Sequence, residues 1–308
     1  MPAVRTATLY ISMKKVLITG ANGLLGQRLV TAFAKSFDIT ATARQERLAL
    51  SGNDVRYRQL DITNAADCKS IAREIKPDVI VNAAAFTNVD GCENEREQCW
   101  RVNVKGVENR AAAARKNMAL LVQISTDYIF DGNNGPYSEQ EPPNPIGYYG
   151  KAKLAAENVV RISSIPFAIV RTNVIYGTGV DVKNNFALWV YHSLKAGKEI
   201  TVVTDQYNNP TLADELTEGI RLLIKGSKYG VFHIAGGEYI NRFDFACKIA
   251  EVFGFSKALI RPITSAALQQ TAPRPMRGGL LIDHARSTLG FDPLSLKENL
   301  EILKQNLE

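Results

Sequence analysis

Lys15-Val16-Leu17-Ile18-Thr19-Gly20-Ala21-Asn22-Gly23-Leu24-Leu25-Gly26 sets a short apolar run directly against three glycines. Helix-like apolar spacing follows through Leu29, Val30 and Phe33. Strand, glycine turn and helix, in that order, is the context in which such glycines hold a dinucleotide. Gly20 is expected to make the tight turn and Gly23 to let the backbone approach a pyrophosphate. Gly26 would let the helix pack close to the strand. The helix start offers free N–H groups and the positive end of its dipole to the phosphates, which puts Asn22, Leu24 and Leu25 beside the cofactor too.

The run 38–43 reads as a second strand ending at Arg44. An NAD-specific site usually carries an acidic residue there for the ribose 2′-hydroxyl. None stands at the strand's end, and Asp38, at its start, reads as a solvated turn residue. Arg44, with Arg47 nearby, suits a 2′-phosphate instead. The expected cofactor is NADPH, with NADH as the alternative.

Further along, strand patterns at 55–60, 78–82, 120–125 and 167–171 alternate with helical patterns at 65–75, 93–115 and 150–162. That alternation predicts an α/β fold with a doubly wound, Rossmann-like parallel sheet and right-handed crossovers. Catalytic residues are then expected at the carboxyl ends of the strands. Beyond Arg171 the pattern loosens into a strand at 199–203, a helix at 211–224, a buried strand at 231–234 and mostly helical residues from 241 to 308. The implied organisation is a dinucleotide-binding domain over 13–175 plus a returning 211–236, and a smaller substrate lobe over 176–210 and 237–308. Residues 1–12, ahead of Met13, lack the apolar core of a signal peptide and read as a flexible leader.

The chain's 308 residues can bury a core of one large or two modest domains. The net charge of +6 comes from dispersed lysines and arginines, which argues against a nucleic-acid partner. No apolar stretch approaches the length of a membrane span. Cys68, Cys92, Cys99 and Cys247 form no CxxC pair, and His192, His233 and His284 are the only histidines, so no metal site is expected. Reduced thiols in a cytoplasmic protein fit best. Trp100 and Trp189 read as helix-packing residues.

Tyr149 and Lys153 stand four apart, one helical turn, so phenol and ammonium share a face. A phenol loses its proton near pH ~10, and a lysine charge beside it lowers that value. Bringing it to ~7 takes about 4 kcal/mol, at roughly 1.36 kcal/mol per unit. A tyrosine so tuned exchanges a proton with a carbonyl oxygen near neutral pH. Asn103 reads equally as support for that relay and as a helix-packing residue.

These stretches together resemble the extended short-chain dehydrogenase/reductase family, and within it the dTDP-4-dehydrorhamnose reductases. The resemblance runs from Lys14 nearly to the end and is carried by 19–26, Leu-Asp-Ile at 60–62, Val-Asn-Ala-Ala-Ala-Phe-Thr-Asn-Val-Asp at 81–90 and Ser-Thr-Asp-Tyr-Ile-Phe-Asp-Gly at 125–132. Tyr-Gly-Lys-Ala-Lys-Leu at 149–154, Asp-Gln-Tyr-Asn-Asn-Pro-Thr at 205–211 and Arg274-Pro275 continue it. It implies a Thr126–Tyr149–Lys153 catalytic set, with Thr126 bonding the substrate carbonyl, Tyr149 delivering the proton and Lys153 holding the nicotinamide ribose. It places Asp61 and Ile62 beside the adenine, and Ala83, Ala84 and Ala85 along the pyrophosphate and ribose. Val89, Thr126, Tyr128 and Val174 would meet the sugar. Sugar-nucleotide dehydratases of the family carry Asp-Glu after the threonine; here Asp127 is followed by Tyr128, which implies plain keto reduction. The reductases usually carry a tryptophan where this chain has Val174.

The expected activity is NADPH-dependent reduction of the C4 ketone of a dTDP-4-keto-6-deoxy sugar by a monomer or homodimer. The alternatives are a sugar-nucleotide epimerase or related reductase, or a dinucleotide-binding regulatory subunit of methionine adenosyltransferase.

Overall fold

β1 (Lys15–Thr19) is apolar because both its faces are covered: Val16, Leu17 and Ile18 have no exposed surface. It lies inside the sheet, between β4 and β2. The computed structural model describes residues 13–50, 55–268 and 270–308. The strands β2 (Asp38–Ala43), β3 (Arg56–Gln59), β4 (Val79–Asn82), β5 (Leu120–Thr126) and β6 (Phe167–Thr172) follow in the chain. Four short strands come next: β7 (Ile175–Tyr176), β8 (Ile200–Val203), β9 (Tyr207–Asn208) and β10 (Thr211–Leu212). β11 (Gly230–His233), β12 (Ile240–Asn241) and β13 (Ile260–Ile263) complete the set.

Seven strands form one parallel sheet in the order β11-β6-β5-β4-β1-β2-β3. From β1 the chain winds outward through β2 and β3, then returns to place β4 on the other side of β1. That reversal opens a crevice at the carboxyl ends of β1 and β4, where a doubly wound sheet binds its ligand.

The helices are α1 (Leu24–Phe33), α2 (Ala65–Ile75), α3 (Val89–Asn94), α4 (Arg96–Trp100), α5 (Gly106–Arg115) and α6 (Tyr148–Arg161), then α7 (Phe186–Lys195), α8 (Ala213–Lys225), α9 (Arg242–Phe253), α10 (Ser265–Leu268), α11 (Asp283–Leu289) and α12 (Leu296–Gln305). Strand residues alternate between two cores. Val16, Ile18, Val81, Val122 and Val170 face α1 and α8, while Leu17, Ile80, Leu121 and Ile169 face α2, α5 and α6. A third cluster, around Phe245, Ile249 and Leu300, joins α7, α9 and α12 to the β8–β13 pair.

Three stretches differ from the sequence expectation. The single helix expected over 93–115 is α3, α4, a π-helical turn at Arg101–Lys105 and α5. Asn103 lies in that π turn, and its amide bonds both backbone groups of Phe86, donating to O at 3.0 Å and accepting from N at 2.8 Å. A local widening of the helix thus aims one side chain at the loop after β4. Thr211 and Leu212, expected as helix, pair as β10 with β7 before α8 begins. Residues from 241 onward include β12 and β13, and α11 packs against α8 and β11 in the sheet's own core. The leader expected at 1–12 lies outside the described residues. Trp189 packs beside Phe186, but Trp100 is exposed on α4.

Among the described residues no helix is long and apolar enough to cross a membrane, and no group of three or more His, Cys, Asp or Glu is placed to hold a metal. Arg110, on α5, is fully buried, and among the described residues nothing accepts from its Nε, Nη1 or Nη2. Burial pulls its pKa down to about 10. A buried, unpaired cation costs more than an apolar side chain of similar length. Arg110→Met is therefore expected to stabilise the fold by roughly 1–4 kcal/mol. Urea denaturation followed by circular dichroism measures this, and a lowered midpoint would mean that Arg110 is satisfied in solution.

Candidate active site

Two glycines of the turn leave no room for a side chain. Gly20 has φ +72°, and a Cβ there would lie 2.7–2.8 Å from the backbone of Ala83 and Ala84, so the turn abuts the loop after β4. A Cβ on Gly26 would sit 2.1 Å from the Gly20 carbonyl. α1 has no side-chain cap at Gly23 and no acidic residue in its first turn, so its N–H groups remain available to an anion. Asn22 ties this turn to the segment after β2, donating to the Arg47 carbonyl at 2.8 Å and accepting from Ala49 N at 2.9 Å. Arg44 and Arg47 are exposed on that segment. Asp38 pairs with Arg56 at the opposite end of β2, away from any ribose. A close-packed turn, a free helix start and two exposed arginines without a carboxylate at the end of β2 fit a dinucleotide bearing a 2′-phosphate.

The other residues expected at the cofactor lie along the same edge of the sheet. Ala83, Ala84 and Ala85 follow β4, and Ala83 N donates to Thr19 O at 3.2 Å. Asp61 and Ile62 follow β3. Asp61 is exposed and holds Thr63 through N and Oγ1, both at 2.8 Å, whereas the Ile62 side chain is buried against Gly106. A polar ladder crosses the strand ends: Thr19 Oγ1 donates to Asn82 Oδ1 at 2.5 Å, and Asn82 Nδ2 donates to Gln123 Oε1 at 2.8 Å. Gln123 in turn donates to the Ile124 carbonyl at 2.8 Å, which also accepts from Lys153 Nζ at 2.6 Å. Every member of that ladder is buried and satisfied, so the strand edge is held rigidly.

Thr126, the last residue of β5, is buried and accepts from Tyr128 N through Oγ1 at 3.2 Å. Tyr149 and Lys153 share a face of α6, whose start is fixed by Glu93 accepting from Tyr148 N at 2.6 Å. Gly150 lets that start touch the Tyr128 turn, because a Cβ there would lie 2.1 Å from the Tyr128 carbonyl. The Tyr149 ring is half-buried and meets Tyr128 edge-on at 5.6 Å. Among the described residues nothing bonds its hydroxyl. Thr126, Tyr128 and Tyr149 are thereby gathered at one end of the crevice.

The electrostatics correct one expectation. Burial pushes the Tyr149 phenol well up and not down, with the neighbouring Cys92 adding to the shift. The Lys153 ammonium is itself buried, which lowers its pKa to about 8 against the opposing pull of Glu157, and it is spent on the Ile124 carbonyl. Spacing on a helix gave the shared face but not the depth, and desolvation outweighs the pairing. Burial likewise raises Asp127, only partly offset by hydrogen bonds from Asn173, Gly279 and Thr126.

Val174 takes φ +43°, an unusual conformation for a β-branched residue, and is half-buried with its carbonyl accepting from Thr211 N at 3.2 Å. Val89 opens α3 and is half-buried.

These features have counterparts in known proteins. A family model described as the RmlD substrate binding domain matches residues 13–308. The chain belongs to the RmlD substrate-binding domain family. A relative named dTDP-4-dehydrorhamnose reductase, from Aggregatibacter actinomycetemcomitans, is 32% identical over 96% of this chain and 100% of its own. A second, the bovine methionine adenosyltransferase 2 subunit beta, is 30% identical over 94% of this chain and 88% of its own. Among solved structures, the dTDP-4-dehydrorhamnose reductase of Bacillus anthracis in complex with NADP superposes with a TM-score of 0.86 at 33% identity, covering 96% of this chain and 99% of that one.

This RmlD-family chain also makes contacts at the site that its sequence did not show. Arg274 reaches from the segment after α10 to Asp90 on α3, with both oxygens engaged at 2.7 and 2.6 Å. The Arg274-Pro275 pair was the only linear signal for that contact. Asp127 is bridged to Asn173 and to Gly279 N, at 3.2 and 3.3 Å, which ties β5 to the segment before α11. Gln27 on α1 exchanges two hydrogen bonds with the Val180 backbone, at 2.8 and 2.9 Å, seating the loop after β7 over the glycine turn. Nothing in sequence spacing points to the Val180 contact.

Proposed function

We propose that this protein reduces the C4 ketone of a dTDP-4-keto-6-deoxy sugar, turning dTDP-4-dehydrorhamnose into dTDP-L-rhamnose, with Tyr149 as proton donor. The enzyme class is that of its family, an NAD(P)H-dependent oxidoreductase, and the cofactor is NADPH with NADH as the alternative. The observation that carries the reading is Tyr149, half-buried against Tyr128 just past the end of β5, with no hydrogen-bond partner for its hydroxyl among the described residues. A reduction needs a phenol that still holds its proton, so a raised pKa is compatible with the acid role.

NADPH would be held by the Gly20–Gly26 turn, the N–H groups of α1, Arg44 and Arg47 over the 2′-phosphate, and the 83–85 backbone beside the ribose. When bound it supplies the hydride. Thr126 Oγ1 orients the substrate carbonyl, and Tyr149 gives its proton to that oxygen as C4 gains hydrogen. Lys153, held at the strand edge, keeps a positive charge one helical turn from the phenolate that remains. Tyr128 and Val174 line the sugar end, with residues 176–210 and 237–308 as the substrate lobe, apart from α11, which packs in the core of the sheet. Tyr128 offers no carboxyl where an elimination would need a second acid, which supports simple reduction over dehydration.

The test is loss of NADPH absorbance with enzymatically prepared dTDP-4-dehydrorhamnose. Rapid oxidation with formation of dTDP-L-rhamnose is expected, and absence of turnover by protein that binds NADPH would exclude this substrate. The bovine relative favours a second reading, a dinucleotide-binding regulatory subunit of methionine adenosyltransferase. A stable complex on mixing with that enzyme, together with no reductase activity, would select it.

A further inference from the structure

Arg242 is the first residue of α9, where the helix dipole disfavours a cation. Its backbone is fixed: N donates to the Gln206 carbonyl at 3.1 Å, beside the β9–β12 pair. Its guanidinium carbon lies over the Phe186 ring, 4.9 Å from the centroid, a cation–π contact that supports the group. The side chain is half-buried, and among the described residues no carboxylate lies within ion-pairing distance and nothing accepts from the guanidinium. Gln206 leads into Tyr207, and a Cβ on Gly278 would lie 3.4 Å from the Tyr207 carbonyl and 2.7 Å from Asp127 Oδ2, so the start of α9 sits beside the Asp127–Tyr128 turn at the substrate end of the crevice.

The charge balance of that corner is one-sided. Arg274 is neutralised by its two-pronged bond to Asp90. Asp127 is buried, and its carboxyl is engaged by Asn173 Nδ2 and Gly279 N, at 3.2 and 3.3 Å. Arg242 is left as an uncompensated, partly desolvated cation at a helix start, an arrangement that disfavours the empty site and favours an anion in it. We propose that Arg242 is an anion anchor of the substrate cleft, pairing its guanidinium with phosphoryl oxygens of the substrate's diphosphate. The proposal rests on the sugar-nucleotide reading above for the identity of that anion. Arginine's planar fork matches two phosphoryl oxygens at once, and Phe186 holds the fork in place before the ligand arrives.

The test is calorimetric titration of the NADPH-saturated protein with dTDP, with inorganic pyrophosphate and with thymidine, in wild type, Arg242→Met and Arg242→Lys. In Arg242→Met, dTDP and pyrophosphate are expected to weaken about 10- to 100-fold, the loss of a charge-assisted pair, while thymidine binding and NADPH affinity stay unchanged. Arg242→Lys should recover part of the loss, since it restores the charge but not the fork. Equal binding of dTDP and pyrophosphate by wild type and Arg242→Met overturns the proposal, as does a wild type that binds neither anion. Pyrophosphate binding that depends on Arg242, with dTDP no tighter than pyrophosphate, upholds the anchor and counts against the nucleotide part of the proposed function.

Discussion

Tyr149→Phe should lower kcat for NADPH-dependent reduction by about 100- to 10,000-fold, the range over which a positioned general acid contributes. The substitution removes one hydroxyl and keeps the ring, so the edge contact with Tyr128 and the packing of α6 on the Tyr128 turn persist. Affinity for NADPH should therefore change little, and KM for the keto sugar should move less than kcat. Steady-state kinetics beside a fluorescence titration of NADPH separate the two effects. The pH profile supplies a second check. Because burial holds the Tyr149 phenol above its ordinary range, its deprotonation should not limit the reduction anywhere near neutrality. The alkaline limb of kcat should instead track Lys153, near pH 8, where the buried ammonium loses its charge. A Phe variant with wild-type turnover would remove Tyr149 from the chemistry.

How far the sequence carried this site depends on the range of the interaction involved. The β1 strand, the glycine turn and α1 are contiguous, and steric demands between near neighbours decide them, so twelve residues sufficed to read them. The clash that any Cβ on Gly26 would have with the Gly20 carbonyl is of that local kind. The shared face of Tyr149 and Lys153 was legible for the same reason. Their electrostatics were not, because desolvation depends on what α6 is pressed against. The π turn at Arg101–Lys105 escaped because the contact it makes possible, Asn103 on Phe86, joins residues seventeen apart through tertiary packing. The two-residue strands β10 and β12 carry no periodicity to detect, and each exists only through a distant partner. Nothing in the sequence spacing sets Arg242 apart from the chain's other charges. The absence of an acidic residue at the end of β2 was, by contrast, a plain linear signal, and Asp38 does lie at the wrong end of the strand, bound to Arg56.

Glu157→Gln should be the most destabilising conservative change near the site. Tyr149, Lys153, Glu157 and Arg161 follow one another at four-residue steps along α6. Glu157 is fully buried and bonds Arg171 through both oxygens, at 3.0 and 2.9 Å, while accepting from Ser125 Oγ at 2.6 Å. Lys153 on Ile124 and Glu157 on Ser125 together pin the two residues ahead of Thr126 to the helix that carries Tyr149. Burial by itself would raise the Glu157 pKa, but Arg171, Ser125 and Arg161 more than reverse this and hold it below the usual carboxylate range. Removing the charge strands Arg171 in the interior, at a cost of about 3 kcal/mol, the low end for a broken buried pair because glutamine keeps the shape. A carboxylate with a depressed folded pKa stabilises above its unfolded value of ~4.3, and that stability is lost as pH falls through the folded value. The gap between wild type and Glu157→Gln should therefore be full at neutral pH and shrink in acid, as urea titrations across that range would show. Lys153 moves in the opposite sense. Its folded pKa of about 8 lies below its unfolded value of ~10.4, so the unfolded chain binds the extra proton and stability rises with pH between the two. Glu157 is the neighbour that most opposes this depression, and without it Lys153 should lose its proton below pH 8. The alkaline limb of kcat should then shift toward neutrality in the variant, at temperatures where it remains folded. A destabilised variant whose alkaline limb stays in place would show that Glu157 braces the strand edge without setting the charge of Lys153.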